Sequence, residues 1–303
     1  MKKLRMMLRW LRWPNLILVF FTLAFIRYGL LGNWFRQYNL HFVLNTFDFL
    51  MLCLLTMMVT FSGYVINDLY DLETDKQNRP DKVIIGTLVS PGQARAIYLI
   101  LVFLGMGINL YLAYQYNKMI WSWIYPLAIL LLWLYSYRLK ASVIWGNLLV
   151  SVFCAAVALL VPFAEKEPIQ QLPDGHDLLF TLYFYAFFAG VSNMLREIIK
   201  DAEDRVGDQA TGKITLAVKF GEKSSGAWSR SLLIILSVSI AIFFILMEYS
   251  TFAMVLFGAC TIPWMILIAI GLLKNPARIQ WAKLSQYAKL LMVGGLLGLL
   301  FLV

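Results

Sequence analysis

Charge is scarce in this sequence. Asp, Glu, Lys and Arg make up 14% of its 303 residues, where soluble domains run near a quarter, and hydrophobic residues fill 61%. A chain this poor in charge has too little polar surface for a soluble globule, so soluble classes are excluded. Cysteine is also rare. Cys53, Cys154 and Cys260 each fall inside an apolar segment, without metal-ligand spacing and without a disulfide framework. They read as small core residues. Histidine occurs only at positions 41 and 176. Both lie near the outer ends of the spans deduced below, so no catalytic role is assigned to them. No small-residue cleavage site follows the basic start (Lys2, Lys3, Arg5, Arg9, Arg12), so the first apolar run reads as a span and not as a cleaved leader. The net charge of +9 does not imply nucleic acid, because no basic soluble module is present to carry it.

What the chain does have is a series of apolar runs, each about 20 residues long and enough to cross a bilayer as a helix. The fold expected is all-α: one polytopic membrane domain, residues 1–303, of about nine transmembrane helices. They are placed at roughly 14–33, 41–65, 93–115, 119–137, 142–163, 177–199, 229–247, 250–273 and 285–303. With the N-terminus in the cytoplasm, every basic residue but Arg27, Arg36, Lys118 and Lys166 falls on the inner side. The expected location is therefore the cytoplasmic membrane. The outer segment after Pro162, with Glu165, Glu167, Pro168, Pro173, Asp174 and Gly175, reads as a solvated loop. The two longest inner segments, 66–92 and 200–228, follow the second and sixth spans.

Those two segments hold most of the acidic residues. One reads Asn67-Asp68-x-x-Asp71-x-x-x-Asp75; the other reads Arg196-Glu197-x-x-Lys200-Asp201-x-x-Asp204-x-x-x-Asp208. Positions i, i+3 and i+7 share one helix face, so each triplet of aspartates forms a row, and Glu197 extends the second. Glu73 and Glu203 point elsewhere. Stacked carboxylates repel and need a compensating cation. Mg²⁺ suits them: it takes oxygen ligands and usually binds one or two carboxylates plus substrate phosphate oxygens. Two such rows facing each other would hold a Mg²⁺–diphosphate complex without a closed protein cage. An EF-hand is excluded, since its ligands fall at every second residue with Glu at position twelve.

At these residues the chain resembles the UbiA superfamily of intramembrane prenyltransferases. The resemblance rests on the first row, on Asn78-Arg79-Pro80, and on the second row ending at Asp208. It implies helices around a central cavity, a prenyl diphosphate donor, Mg²⁺, and catalysis by Asp68, Asp71, Asp75, Asp201, Asp204 and Asp208, with Glu197 among the metal ligands. Arg196-Glu197-x-x-Lys200-Asp201-x-Glu203-Asp204-x-x-Gly207-Asp208, followed by Thr215-Leu216, is similar to the branch that makes digeranylgeranylglyceryl phosphate. The acceptor implied is a glycerol-phosphate ether lipid, geranylgeranyl diphosphate the donor. Asn78-Arg79-Pro80-Asp81-Lys82-Val83 departs from the Arg-Pro-Ile-Pro-Ser-Gly run of quinone and haem O prenyltransferases. An aromatic quinone precursor stays as the alternative acceptor and a cation transporter as a remote alternative class. No obligate protein partner is implied.

The resemblance also implies diphosphate ligands at Tyr137, Arg138 and Lys140, where the fourth span ends, and an acceptor-site amide at Asn15, where the first begins. Arg79 and Lys200 flank the acidic rows and can bind phosphate. Asn67 can hold the diphosphate or a metal-bound water. Asn147 and Asn193 are weaker cavity candidates, because an amide within a span needs a partner.

Overall fold

The computed structural model describes residues 2–78, 83–247, 249–274 and 279–302. Among them the regular secondary structure is helical, apart from one isolated bridge between Ile85 and Val89. That follows from solvent: hydrocarbon cannot hydrogen-bond a backbone, and a helix satisfies its own. Among the described residues, eight helices are long and apolar enough to cross a membrane. The expected ninth segment forms a helix at Trp281–Leu299.

The chain divides into two compact units. The first combines residues up to Phe21 with Leu44–Lys140; the second combines Thr22–Val43 with residues from Ala141 onward. In the first unit the basic start forms a helix, α1 (Lys2–Leu11), ahead of the first span. Arg12 then takes a left-handed conformation, φ 48°, before α2 (Trp13–Ala24) begins. α2 runs on through a π-helical segment, Phe25–Leu31, into α3 (Gly32–Gln37) as one span, so the boundary between units falls within it. α4 (Thr46–Tyr70) packs on α6 (Pro91–Gln115) and α7 (Ile124–Tyr137). The short α5 (Leu72–Asn78) follows α4 directly. Tyr125 of α7 donates to the Leu101 carbonyl of α6 at 2.8 Å. Gly105 permits that approach, since a Cβ there would stand 2.3 Å from the Tyr125 hydroxyl.

The second unit is built on α10 (Gly175–Ala210), 36 residues long, flanked by α8 (Trp145–Ala164), α11 (Leu216–Leu246) and α13 (Trp281–Leu299). α12 (Thr251–Leu272) packs on α13. Close contact depends on glycine: a Cβ at Gly294 would meet the Cys260 carbonyl oxygen at 2.0 Å, and one at Gly295 would meet the Phe188 ring at 2.0 Å.

Three expectations need correction. The spans expected at 177–199 and 229–247 extend well into the inner segment 200–228. α10 continues to Ala210 and α11 begins at Leu216, with a break at Gly221 (φ 79°). Charged residues do not stop a helix in water; they stop only its apolar stretch. The 41–65 span is shifted to 46–70, because Asn45 caps the helix by accepting from the Asp48 N–H at 2.9 Å. The segment after Pro162 is not a solvated loop. It forms α9 (Lys166–Gln170), and Glu165 is fully buried against Arg27 at 2.8 Å. Arg27 lies in the π-helical segment, and both partners need the other to be tolerated away from water.

Candidate diphosphate and metal site

In the first unit the acidic row crosses a helix junction. α4 ends at Tyr70, Asp71 is its C-cap, and α5 starts at Leu72. Helical register survives, because the Asp71 N–H bonds the Asn67 carbonyl at 2.9 Å and the Asp75 N–H bonds that of Asp71 at 2.8 Å. Each of the first two carboxylates already holds a cation. Asp68 accepts from Arg12 Nη2 at 2.8 Å and from Trp10 Nε1 at 3.1 Å. The buried Asp71 pairs with Lys140 Nζ. The expected repulsion between stacked carboxylates is thus offset here by basic side chains. Lys140, expected to serve the diphosphate, stands on the acidic row.

The other first-unit candidates fall in varied places. Asn15 donates to the Tyr64 hydroxyl at 3.0 Å, and that ring also lies 4.3 Å below the Arg12 guanidinium. Tyr137 is 60% exposed, stacked on Trp133 and edge-on to Tyr70, and Arg138 is exposed at the end of α7. Neither shows a bond to the acidic row among the described residues. Arg79 lies outside the described residues. Asn67 Oδ1 is buried with no hydrogen-bond partner among the described residues.

In the second unit the row lies on unbroken helix, so Asp201, Asp204 and Asp208 share one face of α10. Asn147 of α8 donates to Asp201 at 2.7 Å. Behind it, Asn193 donates to Ser151 Oγ at 3.3 Å, and Ser151 donates to the Asn147 carbonyl at 2.7 Å. The buried Glu197 pairs with Arg196. Lys200 is half-buried beside Asp201 in sequence, and Glu203 points outward. Lys289 of α13 shares the electrostatic neighbourhood of Arg196, Lys200, Glu197 and Glu203.

The chemistry of these donors fits a hard divalent cation. They are oxygen ligands, and Asn67 Oδ1 is a buried acceptor awaiting a donor or a metal-bound water. Among the described residues no three His, Cys, Asp or Glu side chains cluster closely enough to form a metal cage. Mg²⁺ does not require one, since phosphate and water complete its shell.

Sequence reasoning assigned no role to Trp10 and only a topological one to Arg12, yet both hold Asp68. The sequence signal is the Arg12-Trp13-Pro14-Asn15 run, in which Arg12 stands three residues before an amide entering the span. Asn147 was ranked as a weaker candidate; its contact with Asp201 raises it.

A UbiA prenyltransferase family model matches residues 29–293. Over 165 residues the chain is 36% identical to a digeranylgeranylglyceryl phosphate synthase of Methanopyrus kandleri, a stretch of 54% of this chain and 55% of that protein. The chain therefore aligns with about half the length of that relative. The synthase of Methanocaldococcus jannaschii is 26% identical over 83% of both chains. Two solved structures share the fold. A structure of digeranylgeranylglyceryl phosphate synthase in membranes has a TM-score of 0.66 at 23% identity over 99% of both chains. An apo UbiA homolog from Aeropyrum pernix K1 has a TM-score of 0.63 at 15% identity, covering 92% of this chain and 94% of that one. The family match over most of the chain, and helices long and apolar enough to cross a bilayer, make this protein an integral membrane prenyltransferase of the UbiA family.

Proposed function

We propose that this enzyme transfers a prenyl group from a prenyl diphosphate, geranylgeranyl diphosphate in the first instance, to the free hydroxyl of a glycerol-phosphate ether lipid. The observation that carries the diphosphate part is the alternation of carboxylate and cation: Arg12 on Asp68, Lys140 on Asp71, Arg196 on Glu197. The acceptor is inferred from the names of the relatives, which are digeranylgeranylglyceryl phosphate synthases. The whole chain is proposed to act as one catalytic domain, with its N-terminus and both acidic rows on the cytoplasmic side, as the basic residues imply.

In the reaction the donor's carbon–oxygen bond breaks, and its electron pair leaves with the diphosphate. The acceptor oxygen then bonds the allylic carbon, and its proton passes to the departing diphosphate or to water. Asp68, Asp71, Asp75, Glu197, Asp201, Asp204 and Asp208 are the residues that would hold Mg²⁺. When bound, the ion neutralises charge gathering on the leaving diphosphate. Lys140 and Arg12, which stand on the acidic row, would add charge-assisted hydrogen bonds to phosphate oxygens. Asn147 holds Asp201 in one orientation, and Asn67 Oδ1 would accept from a metal-bound water. Lys200, Arg79, Tyr137 and Arg138 are proposed as further diphosphate contacts and Asn15 as an acceptor contact.

The deciding experiment offers purified protein radiolabelled geranylgeranyl diphosphate with a panel of acceptors. Labelled product with geranylgeranylglyceryl phosphate is expected. Product with only hydroxybenzoate or dihydroxynaphthoate would sink the lipid acceptor and leave the prenyl donor standing.

A further inference from the structure

A cleft of about 230 Å³ opens in the second unit between the N-terminal part of α11, the end of α12 and the approach to α13. With a water occupying ~30 Å³ of liquid, the space takes a tetrahedral oxyanion and several waters. Its charged lining is Glu222, Lys223, Arg230 and Lys274. Both Glu222 oxygens are engaged: Oε1 accepts from Arg205 Nη1 at 3.2 Å and Oε2 from Trp281 Nε1 at 3.3 Å. Arg205 thus offsets the one negative charge, and the balance of the cleft is cationic. Arg230 Nη1 donates to the Leu272 carbonyl at 3.1 Å, fixing the guanidinium across the end of α12. Lys223 and Lys274 are exposed and have no ion-pair partner among the described residues.

The level of the cleft in the fold is as informative as its charge. Leu272 is the last residue of a helix apolar enough to cross a bilayer, and Leu273 beyond it is 79% exposed. Lys274 therefore follows at the border of the hydrocarbon, where long basic side chains reach toward headgroups. Basic pockets between spanning helices at that level are suited to phosphate-bearing headgroups.

We propose that this cleft binds the phosphate of an anionic membrane phospholipid, with Lys223, Lys274 and Arg230 as its ligands. The site is separate from the acidic rows, yet tied to one of them. Glu222 holds Arg205, and Arg205 lies between Asp204 and Asp208 on α10. A lipid in the cleft would anchor the stretch of α11 after the Gly221 break against the ends of α12 and α13.

The test uses the full chain in nonionic detergent, titrated with short-chain phosphatidylglycerol, phosphatidylcholine or inorganic phosphate. Native mass spectrometry and the shift in melting temperature report binding. Wild type is expected to prefer phosphatidylglycerol, and the double variant Lys223→Gln/Lys274→Gln to lose roughly fivefold in affinity per charge removed. Arg230 is left in place because it also caps α12. An unchanged preference in the double variant would overturn the assignment of the cleft. Equal stabilisation by inorganic phosphate would overturn the lipid as its source. Prenyl transfer by the double variant should keep the wild-type KM for the glycerol-phosphate acceptor. A raised KM would make the cleft the acceptor's own phosphate site and overturn the membrane-lipid reading.

Discussion

At the residue scale, the acidic rows are held by partners of different kinds. Asp71 has an ammonium, Asp68 a guanidinium and an indole, and Asp201 a neutral amide. Asp71→Asn and Asp204→Asn are each expected to reduce prenyl transfer about 10²-fold or more, as loss of a group that offsets transition-state charge does. Membrane insertion should be unchanged. Radiolabel transfer in membranes with equal protein by immunoblot checks both halves. Asn147→Ala leaves Asp201 without its positioning amide. A 10–100-fold loss of activity, with a matching rise in the Mg²⁺ concentration for half-maximal rate, is the expected outcome. Normal metal dependence in that variant would show that the amide only packs. These rows were legible from sequence because their spacing is a local property of a helix. Trp10 and Arg12 were not, because they come from α1 and the turn after it, and nothing in the spacing of a row says which basic residue will meet it.

At the scale of elements, burial of charge decides more than propensity does. Glu165 and Arg27 sit at the end of α8 away from Asn147, with side chains 0% and 3% exposed. Glu165 also accepts from the Val43 N–H, and the Arg27 guanidinium lies 4.1 Å over the Phe42 ring. Glu165→Gln strands a buried cation and should cost about 3–5 kcal/mol of stability. Thermal denaturation in detergent measures it, and turnover at low temperature should persist because the pair is remote from the acidic row of its unit. The first unit has a parallel device: the buried Asp48 at the start of α4 accepts from Tyr111 at 3.0 Å and from Tyr116. Burial, then the bond to Asp48, pushes the Tyr116 phenol up to about 12, so the hydroxyl stays a donor through any working pH.

Glycine contacts make a second prediction at this scale. Gly294→Ala drives a methyl into the Cys260 carbonyl and should destabilise by about 1–3 kcal/mol. Gly107→Ala, on α6, meets nothing within 4 Å and should stabilise by a few tenths to ~1 kcal/mol through helix propensity. Opposite signs in one melting experiment would bear out the packing; equal signs would refute it. The order of the long apolar helices was legible in the sequence, since apolar length is a one-dimensional signal; the short α1, α5 and α9 were not. Helix ends were not. Asn45 moved one boundary, and α10 and α11 ran on through charged residues that carry no hydropathy signal. The burial of Glu165 was hidden for another reason: an acid beside two prolines looks solvated until its arginine, far off in the chain, is found.

For the whole molecule, the reading requires a divalent cation. Excess EDTA should stop prenyl transfer, and added Mg²⁺ should restore it without refolding. Continued turnover in EDTA would remove the metal from the mechanism. The family was readable because two motifs with fixed spacing repeat in one chain. The acceptor was less so, since no comparable run of adjacent residues with fixed spacing points to it.

The length of α10 has one more consequence. From Gly175 to Asp201 the helix rises ~39 Å, and the oily interior of a bilayer is only ~30 Å thick. A helix that starts at one border therefore delivers its aspartates beyond the other, among headgroups and water. A metal ion and diphosphate bound there as proposed would come and go through the aqueous phase, while an isoprenoid chain would stay in oil. On the proposed reaction, the 36-residue helix is in effect a ruler, setting the plane at which the two halves of an amphiphilic substrate would be parted.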